Sequence, residues 1–146
     1  MNAVVSLDDI LMTPLKRIPT AGGDVMHALR NSDAGFNGFS EVYFSWVELG
    51  AIKAWKCHLR MTLNLVVPMG EIRFVFHLTK QKNSFRTEII GPERYVRLTV
   101  PPGVWFGFQG KAIGSSLLMN VANMEHDPDE VKRRSISAFA FEWGSK

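Results

Sequence analysis

Hydrophobic and polar side chains alternate over residues 53–67 with the period of two that is typical of β-strands. One set is apolar and comprises Trp55, Cys57, Leu59, Met61, Leu63, Leu65 and Val67. The other set is polar and comprises Lys56, His58, Arg60, Thr62 and Asn64. Strands with one apolar and one polar face are typical of antiparallel sheets. We predict two strands in this stretch, with a bend near Arg60.

The same alternation recurs along most of the chain. It predicts further strands over residues 41–47, 70–78, 85–90, 95–100, 104–108, 116–122 and 136–143. Helical signals are confined to two short segments, one capped by Ser6 with Asp9 three residues later, the other begun by Asp127 and Pro128. Many short strands with one or two short helices predict an all-β sandwich or barrel, as one domain over residues 1–146.

The polar face of the main strand carries Lys56, His58 and Arg60 at alternate positions. Side chains of like charge at this spacing repel one another. Such a face is therefore either solvated or directed at an anion, and the pattern alone leaves both interpretations open.

Charge and hydropathy narrow the classes of function. The net charge is only +3, and the densest basic run, Lys132 to Arg134, is too short for a nucleic-acid footprint. No apolar run approaches the roughly 20 residues of a membrane-spanning helix. The N-terminal segment carries Asp8 and Asp9 where a signal peptide needs positive charge. We expect a cytoplasmic protein that binds neither nucleic acid nor membranes, and a small phosphorylated ligand is compatible with the charge.

Cysteine and histidine usage gives no metal-binding pattern. Cys57 is the single cysteine, and the four histidines are scattered along the chain. A metal site needs three or four ligands with matched spacing. The sequence therefore predicts no bound metal and no organic cofactor, with a metal-dependent site from scattered ligands as a lesser alternative.

One segment resembles the first motif of the cupin family. Gly50 is followed by five residues, then by Lys56, Cys57 and His58, and later by Gly70. The spacing matches the cupin motif, in which the position of Lys56 holds the first His. A related group, the dTDP-4-keto-6-deoxyhexose 3,4-ketoisomerases, carries His-x-His at Lys56 and His58, so this chain keeps only the second His.

A second segment is similar to the dTDP-4-dehydrorhamnose 3,5-epimerases. Residues 101–108, PPGVWFGF, resemble the Pro-x-Gly-Phe-Ala-His-Gly-Phe segment of those enzymes, with Phe106 in place of the His. Residues 53–56, KAWK, resemble their Arg-Gly-Leu-His. In that family the motif His is the general base and a Tyr is the general acid, and the alignment puts Lys56 and Met119 at those two positions.

The resemblance implies a cupin-type double-stranded β-helix, or jelly roll. It implies an isomerase that epimerises or keto-isomerises a dTDP-linked 4-keto hexose, through an enolate, in deoxysugar or polysaccharide biosynthesis. The departures at Lys56, Phe106 and Met119 leave an alternative open, which is a non-catalytic cupin that binds a sugar nucleotide or a carbohydrate.

Within this expectation, His58 removes the proton, Lys56 stabilises the enolate, and Tyr43 or a water molecule returns the proton. Lys56 could itself act as the base only if burial or a nearby cation lowered its pKa. The resemblance puts Lys53 at the phosphate-binding Arg of the family. Strict alternation would place Lys53 opposite Lys56, so that role requires a bulge in the strand. The further candidates for substrate binding are Arg60, Asn64, Arg73 and Trp105.

The apolar face of the main strand predicts an interface. If the cationic face points into the barrel, Trp55, Leu59 and Met61 point outward, and a contiguous outward apolar patch usually marks an interface. The epimerase family is dimeric, so the resemblance implies a homodimer.

Overall fold

The computed structural model describes residues 4–81 and 83–144, which form two five-stranded antiparallel sheets. In chain order, β1–β12 span Leu11–Pro14, Arg17–Ile18, Val25–Met26, Glu41–Glu48, Ile52–His58, Leu63–Met69, Ile72–His77, Phe85–Ile90, Val96–Val100, Trp105–Gly110, Ser115–Ala122 and Val131–Arg133. Sheet I has the order β1-β9-β6-β11-β4, sheet II has the order β12-β5-β10-β7-β8, and β2 and β3 form a separate ribbon. This is the all-β cupin-type jelly roll predicted from the sequence.

The hydrophobic core lies between the two sheets. Leu65, Leu98 and Leu118 of sheet I are at most 1% exposed, and they belong to the same cluster as Phe74 and Phe76 of sheet II. Alternation along each strand puts every second side chain into this core. The outer faces of the sheets are therefore free to carry other groups.

The bend after β5 carries the chain from sheet II to sheet I, and it reverses which side chains point inward. Trp55 and Cys57, before the bend, lie on the outer face of sheet II. Met61 and Leu63, after the bend, lie in the core between the sheets. The predicted bend near Arg60 is confirmed, but the continuous apolar face predicted across it is wrong.

Residues 135–143, here called the C-terminal strap, cover the outer face of sheet II. They form a 3-10 turn over Ile136–Ala138 followed by extended chain, so the strand predicted over 136–143 is wrong. The ring centroids of Phe139 and Trp143 lie 5.2 and 5.3 Å from that of Trp55. Trp55 Nε1 donates to the Ile136 carbonyl at 3.1 Å. The strap thus buries Trp55, which the sequence had suggested for an interface between copies.

Both short helical signals are confirmed as 3-10 turns. Ser6 and Asp9 form the predicted capping box around Leu7–Asp9. Asp127 caps Pro128–Glu130 by accepting from the backbone N–H of Asp129 at 2.9 Å. No helix in the described ranges 4–81 and 83–144 is long and apolar enough to span a membrane.

Removal of the strap's terminal aromatic ring tests its contribution to the fold. Trp143→Ala should lower the free energy of unfolding by about 3 kcal/mol, because the ring is buried against Trp55 and Phe141. Urea denaturation measures the loss. The control is Ile113→Ala, at a side chain that is 96% exposed, where the change should stay within about 0.5 kcal/mol. Equal midpoints for the two variants would contradict the assigned role of the strap.

Candidate functional site

A cavity of about 470 Å³ opens between β4 of sheet I and strands β5, β10 and β12 of sheet II. It is lined by Ser45, Lys53, Ala54, Trp55, Lys56, Phe106, Phe108, Arg133 and Arg134. Small-molecule sites commonly have volumes of about 300–1,000 Å³. The cavity is therefore large enough for a ligand the size of a sugar with part of a nucleotide.

A β-bulge puts both lysines of β5 on the same face. In the register with β10, Phe106 lies opposite Lys56 and Phe108 lies opposite Lys53. Two residues of β5 separate the lysines, whereas one residue of β10 separates the phenylalanines, so β5 carries one extra residue. Gly107 makes room for this, because a Cβ added there would lie 2.5 Å from the Cβ of Ala54. The bulge that the predicted role of Lys53 requires is thus present.

In the described part of the chain, the residues lining the cavity include the basic Lys53, Lys56, Arg133 and Arg134 and no acidic one, and the guanidinium of Arg134 lies over the ring of Trp105. Among the described residues, Lys53, Lys56, Arg133 and Arg134 form no ion pair within 4.0 Å. Burial lowers the pKa of Lys56, and the positive charges of Arg133 and Lys53 lower it further. A concave site with a single sign of charge attracts an anion, so the structure favours the ligand-directed interpretation of the cationic strand face.

His58 is paired with a buried carboxylate. Its Nδ1 donates to Oε1 of Glu130, and Oε2 of Glu130 accepts from the backbone N–H groups of Arg60 at 3.2 Å and Met61 at 3.1 Å. Burial opposes ionisation of Glu130, but the hydrogen bonds from His58, Arg60 and Met61 outweigh it and lower its pKa. Burial, together with the positive charges of Lys56 and Arg133, lowers the pKa of His58, although the hydrogen bond and the charge of Glu130 raise it. The pair is therefore a carboxylate and a neutral imidazole near pH 7.

The second nitrogen of His58 is free to act as a base. Because Nδ1 is the donor to Glu130, Nε2 carries the lone pair. Nε2 is buried and has no hydrogen-bond partner in the structure. The ring stacks on Phe106, with centroids 6.1 Å apart, on the inner side of sheet II. A ligand in the barrel is the group that would meet this nitrogen.

Tyr43 faces the barrel from the opposite sheet. Alternate side chains of β4 point to the same face, so Tyr43 shares the inward face with Ser45 and Val47, whereas Phe44 points outward. Burial raises the pKa of its hydroxyl, and so does the charge of Glu41. Tyr43 therefore keeps its proton at neutral pH and can donate it.

Two predicted phosphate ligands lie outside the cavity. Arg73 lies on the outer face of sheet II, where it donates to Gln109 Oε1 and to the Trp143 carbonyl beneath the strap. The side chain of Arg60 is 65% exposed and pairs with Asp127 at 3.1 Å. The prediction for Arg60 assumed that the alternation of β5 continues through the bend. Arg73 lies on the face of β7 opposite Phe74 and Phe76, as the alternation predicts, but the strap covers that face.

Two other candidates are also on outer faces. Asn64 lies on the outer face of sheet I, where it accepts from Arg97 at 3.0 Å and from Thr99 at 2.6 Å. Trp105 packs against Phe139 of the strap, 5.5 Å between centroids, with the guanidinium of Arg134 over its ring. These contacts indicate that Asn64 and Trp105 stabilise the fold.

Sequence reasoning missed Glu130, Arg133 and Arg134. Glu130 lies 72 residues from His58 in sequence, and its only sequence signal was the helix start at Asp127. Arg133 belongs to the short edge strand β12, where it lies opposite Lys56. A three-residue strand shows too little alternation to be predicted, which is why the basic run looked like exposed surface.

No protein-family model matches the sequence, and no curated protein matches it. Among solved structures, the chain is similar to a dTDP sugar isomerase from Desulfovibrio desulfuricans G20. The two share 33% sequence identity with a TM-score of 0.88, over 93% of this chain and 91% of that one.

Two further neighbours share the fold at lower identity. A sugar 3,4-ketoisomerase from Thermoanaerobacterium thermosaccharolyticum, in complex with TDP, has 18% identity and a TM-score of 0.74, over 88% of this chain and 90% of that one. A dTDP-6-deoxy-D-glucose-3,5-epimerase from Legionella pneumophila, in complex with dTDP-4-keto-L-rhamnose, has 14% identity and a TM-score of 0.81, over 97% and 82%.

The protonation of His58 can be observed directly. We expect nitrogen-15 NMR at pH 7 to show a neutral ring with the proton on Nδ1, because Glu130 accepts it. Glu130→Gln should destroy this preference, because an amide can face the ring with either its N–H or its oxygen. His126, which is exposed, serves as the internal reference. An Nε2–H tautomer in the unmodified protein would contradict the assignment.

Proposed function

The chain belongs to the dTDP-sugar isomerase family, and from that premise we propose that it moves a proton next to the ketone of a dTDP-linked 4-keto-6-deoxyhexose. The protein is a sugar-nucleotide epimerase or keto-isomerase. The observation that carries the proposal is the buried pair of His58 and Glu130 on the inner face of β5, the strand whose Lys53 and Lys56 line the cavity.

In the proposed first step, Nε2 of His58 removes a proton from the carbon adjacent to the ketone. The electron pair of the broken C–H bond moves to the keto oxygen and forms an enolate. Glu130 keeps the imidazole oriented and stabilises the imidazolium that forms, as a buried carboxylate does in other His-based catalysts. The free Nε2 and its hydrogen-bonded Nδ1 support this role.

The enolate needs a positive partner and the carbon needs a proton. Lys56 stabilises the developing negative charge from the inner face of sheet II. Tyr43 returns a proton from sheet I, the side opposite His58. Delivery to the same carbon, from the opposite face, inverts it and restores the ketone. In a keto-isomerisation the enolate oxygen instead takes the hydroxyl proton of the adjacent carbon, so that delivery of a proton to the former ketone carbon leaves the ketone on its neighbour. The two outcomes share the first step, and product stereochemistry distinguishes them.

The proposed diphosphate site consists of Lys53 and Arg133, because the guanidinium of Arg134 lies over Trp105 on the outer face. They line the same cavity as Lys56 and have no carboxylate partner among the described residues. Arg binds phosphate through paired N–H groups and Lys binds it as a point charge. We therefore assign the diphosphate to the cavity beside Lys53 and Arg133, and the sugar to the barrel interior between His58 and Tyr43.

The proposed steps use side chains alone, so we propose a reaction without metal or organic cofactor. A cytoplasmic location likewise stays a prediction from the composition.

Incubation with dTDP-4-keto-6-deoxyglucose tests the proposal, with conversion followed by proton NMR. His58→Asn should lower kcat by at least about 100-fold, the usual contribution of a general base. His126→Asn is the matched control at an exposed position and should leave kcat unchanged. Ligand-induced thermal stabilisation without any conversion would instead support the non-catalytic alternative.

The pH dependence of kcat/KM should be bell-shaped, with both limbs displaced to low pH. Activity should fall on the acid side only below pH 6.5, because burial lowers the pKa of His58 from that value and the neutral ring is the base. It should fall on the basic side below pH 10.5, because Lys56 must keep its proton and its pKa is also lowered. Lys56→Met should move the basic limb to above pH 10, where the raised pKa of Tyr43 lies, and an acid limb above pH 6.5 would contradict the role of His58.

We also propose a homodimer, through the outer face of sheet I. Val42, Phe44 and Trp46 of β4 are 42%, 60% and 57% exposed, and their partners on β11 include Leu117 and Met119. This contiguous apolar surface replaces the one predicted around Trp55. Exposed patches of this kind usually mark an interface.

A charge on that surface should prevent association. Trp46→Glu should give a monomer in analytical ultracentrifugation at micromolar concentration, whereas the unmodified protein and Ile113→Glu should sediment as dimers. A monomeric unmodified protein would refute the proposed homodimer. A dimeric Trp46→Glu variant would show that the interface lies on another surface.

A further inference from the structure

Asn120 is a buried polar residue without a partner for its amide nitrogen. It is 6% exposed, and Nδ2 has no hydrogen-bond partner in the structure. Its neighbours on the same face of β11, Leu118 and Ala122, belong to the core between the sheets. Asn120 therefore points into the barrel, unlike Met119, which the sequence alignment had placed at the acid position.

The unpaired amide is unfavourable for the folded protein alone. A buried donor without an acceptor retains the cost of its lost hydration, and native structures contain few such groups. A leucine would suit a position flanked by Leu118 and Leu65 better. Asn64 shows the contrast, because its amide oxygen and nitrogen are both hydrogen-bonded.

The position of Asn120 relates this amide to the proposed reaction. It lies directly opposite Tyr43 in the register of β11 with β4. Opposed residues in such a pair have their Cβ atoms about 5 Å apart. Among the described residues, Nε2 of His58, which comes from the facing sheet, is also a buried unpaired polar atom of the barrel interior. A hexose held between His58 and Tyr43 would therefore also meet the amide of Asn120.

We propose that Asn120 recognises the sugar, with its amide N–H donating to an oxygen of the hexose beside the carbon that Tyr43 protonates. This deepens the proposed function and rests on it. The sugar oxygen supplies the acceptor that the folded protein lacks. Asn120 selects hexoses that carry an oxygen at that position and holds the ring between the two proton-transferring side chains.

Stability and activity should change in opposite directions when this amide is removed. Asn120→Leu should raise the Tm of the ligand-free protein and lower kcat/KM for dTDP-4-keto-6-deoxyglucose by about 10–100-fold. Asn64→Leu is the matched control at a hydrogen-bonded Asn, and it should lower the Tm. A lower Tm for Asn120→Leu would overturn the inference, because it would mean that the amide serves the fold.

Comparison of two ligands separates sugar recognition from nucleotide recognition. In thermal shift, Asn120→Leu should keep the stabilisation caused by dTDP and lose most of the additional stabilisation caused by dTDP-4-keto-6-deoxyglucose. Asn120→Ser, which retains a smaller donor, should give intermediate values of kcat/KM and keeps the test valid if the leucine variant misfolds. Unchanged kcat/KM in both variants, with an active unmodified protein, would refute the role of Asn120 alone. An inactive unmodified protein that is not stabilised by the sugar nucleotide would refute the proposed function itself.

Discussion

The carboxylate of Glu130 is the group on which the rest of the site depends. One oxygen accepts from His58, and the other accepts from the backbone of Arg60 and Met61, where the chain passes from sheet II to sheet I. A buried carboxylate is costly unless it is well hydrogen-bonded. Here its bonds fix both the inter-sheet bend and the orientation of the imidazole. The same contact thus determines a feature of the fold and the proposed chemistry.

Strand β5 is constrained from both sides. Its outer face, with Trp55 and Cys57, is held under the aromatic residues of the C-terminal strap. Its inner face carries Lys53 and Lys56, brought together by the bulge and unpaired in the described part of the chain. Mutual repulsion among the cavity cations opposes this arrangement, and burial of the outer face offsets it. An anionic ligand would relieve the repulsion, which is a physical reason for a phosphorylated substrate.

Local patterns were sufficient for most of the longer strands and for the fold class, because alternation reports which faces of a sheet are buried. They were also sufficient for Lys56 and His58 as inward residues, since both follow from the strand face and the cupin spacing. Lys53 followed only from the resemblance, because strict alternation put it on the opposite face. They failed for Arg73, whose face is covered by residues 70 positions away.

The remaining failures have one physical cause, which is that packing between distant segments leaves little trace in local sequence. The sequence around Glu130 does not indicate that its partner is His58. The alternation across residues 53–67 does not show that the chain passes there from sheet II to sheet I. The sequence alignment placed Met119 at the position where the 3,5-epimerases have their Tyr. In the structure Met119 points outward, and its neighbour Asn120 points into the barrel. An alignment error of one residue cannot be detected from the pattern of apolar and polar residues. Such an error assigns a side chain to the wrong face of its strand.

The most direct test of the account is proton exchange in heavy water. The protein is incubated with dTDP-4-keto-6-deoxyglucose in deuterium oxide, and the proton signals at C3 and C5 are followed by NMR. The account predicts that deuterium enters at a carbon next to the ketone, and that His58→Asn abolishes its entry. Conversion without deuterium entry, or entry at an undiminished rate in His58→Asn, would contradict proton abstraction by His58.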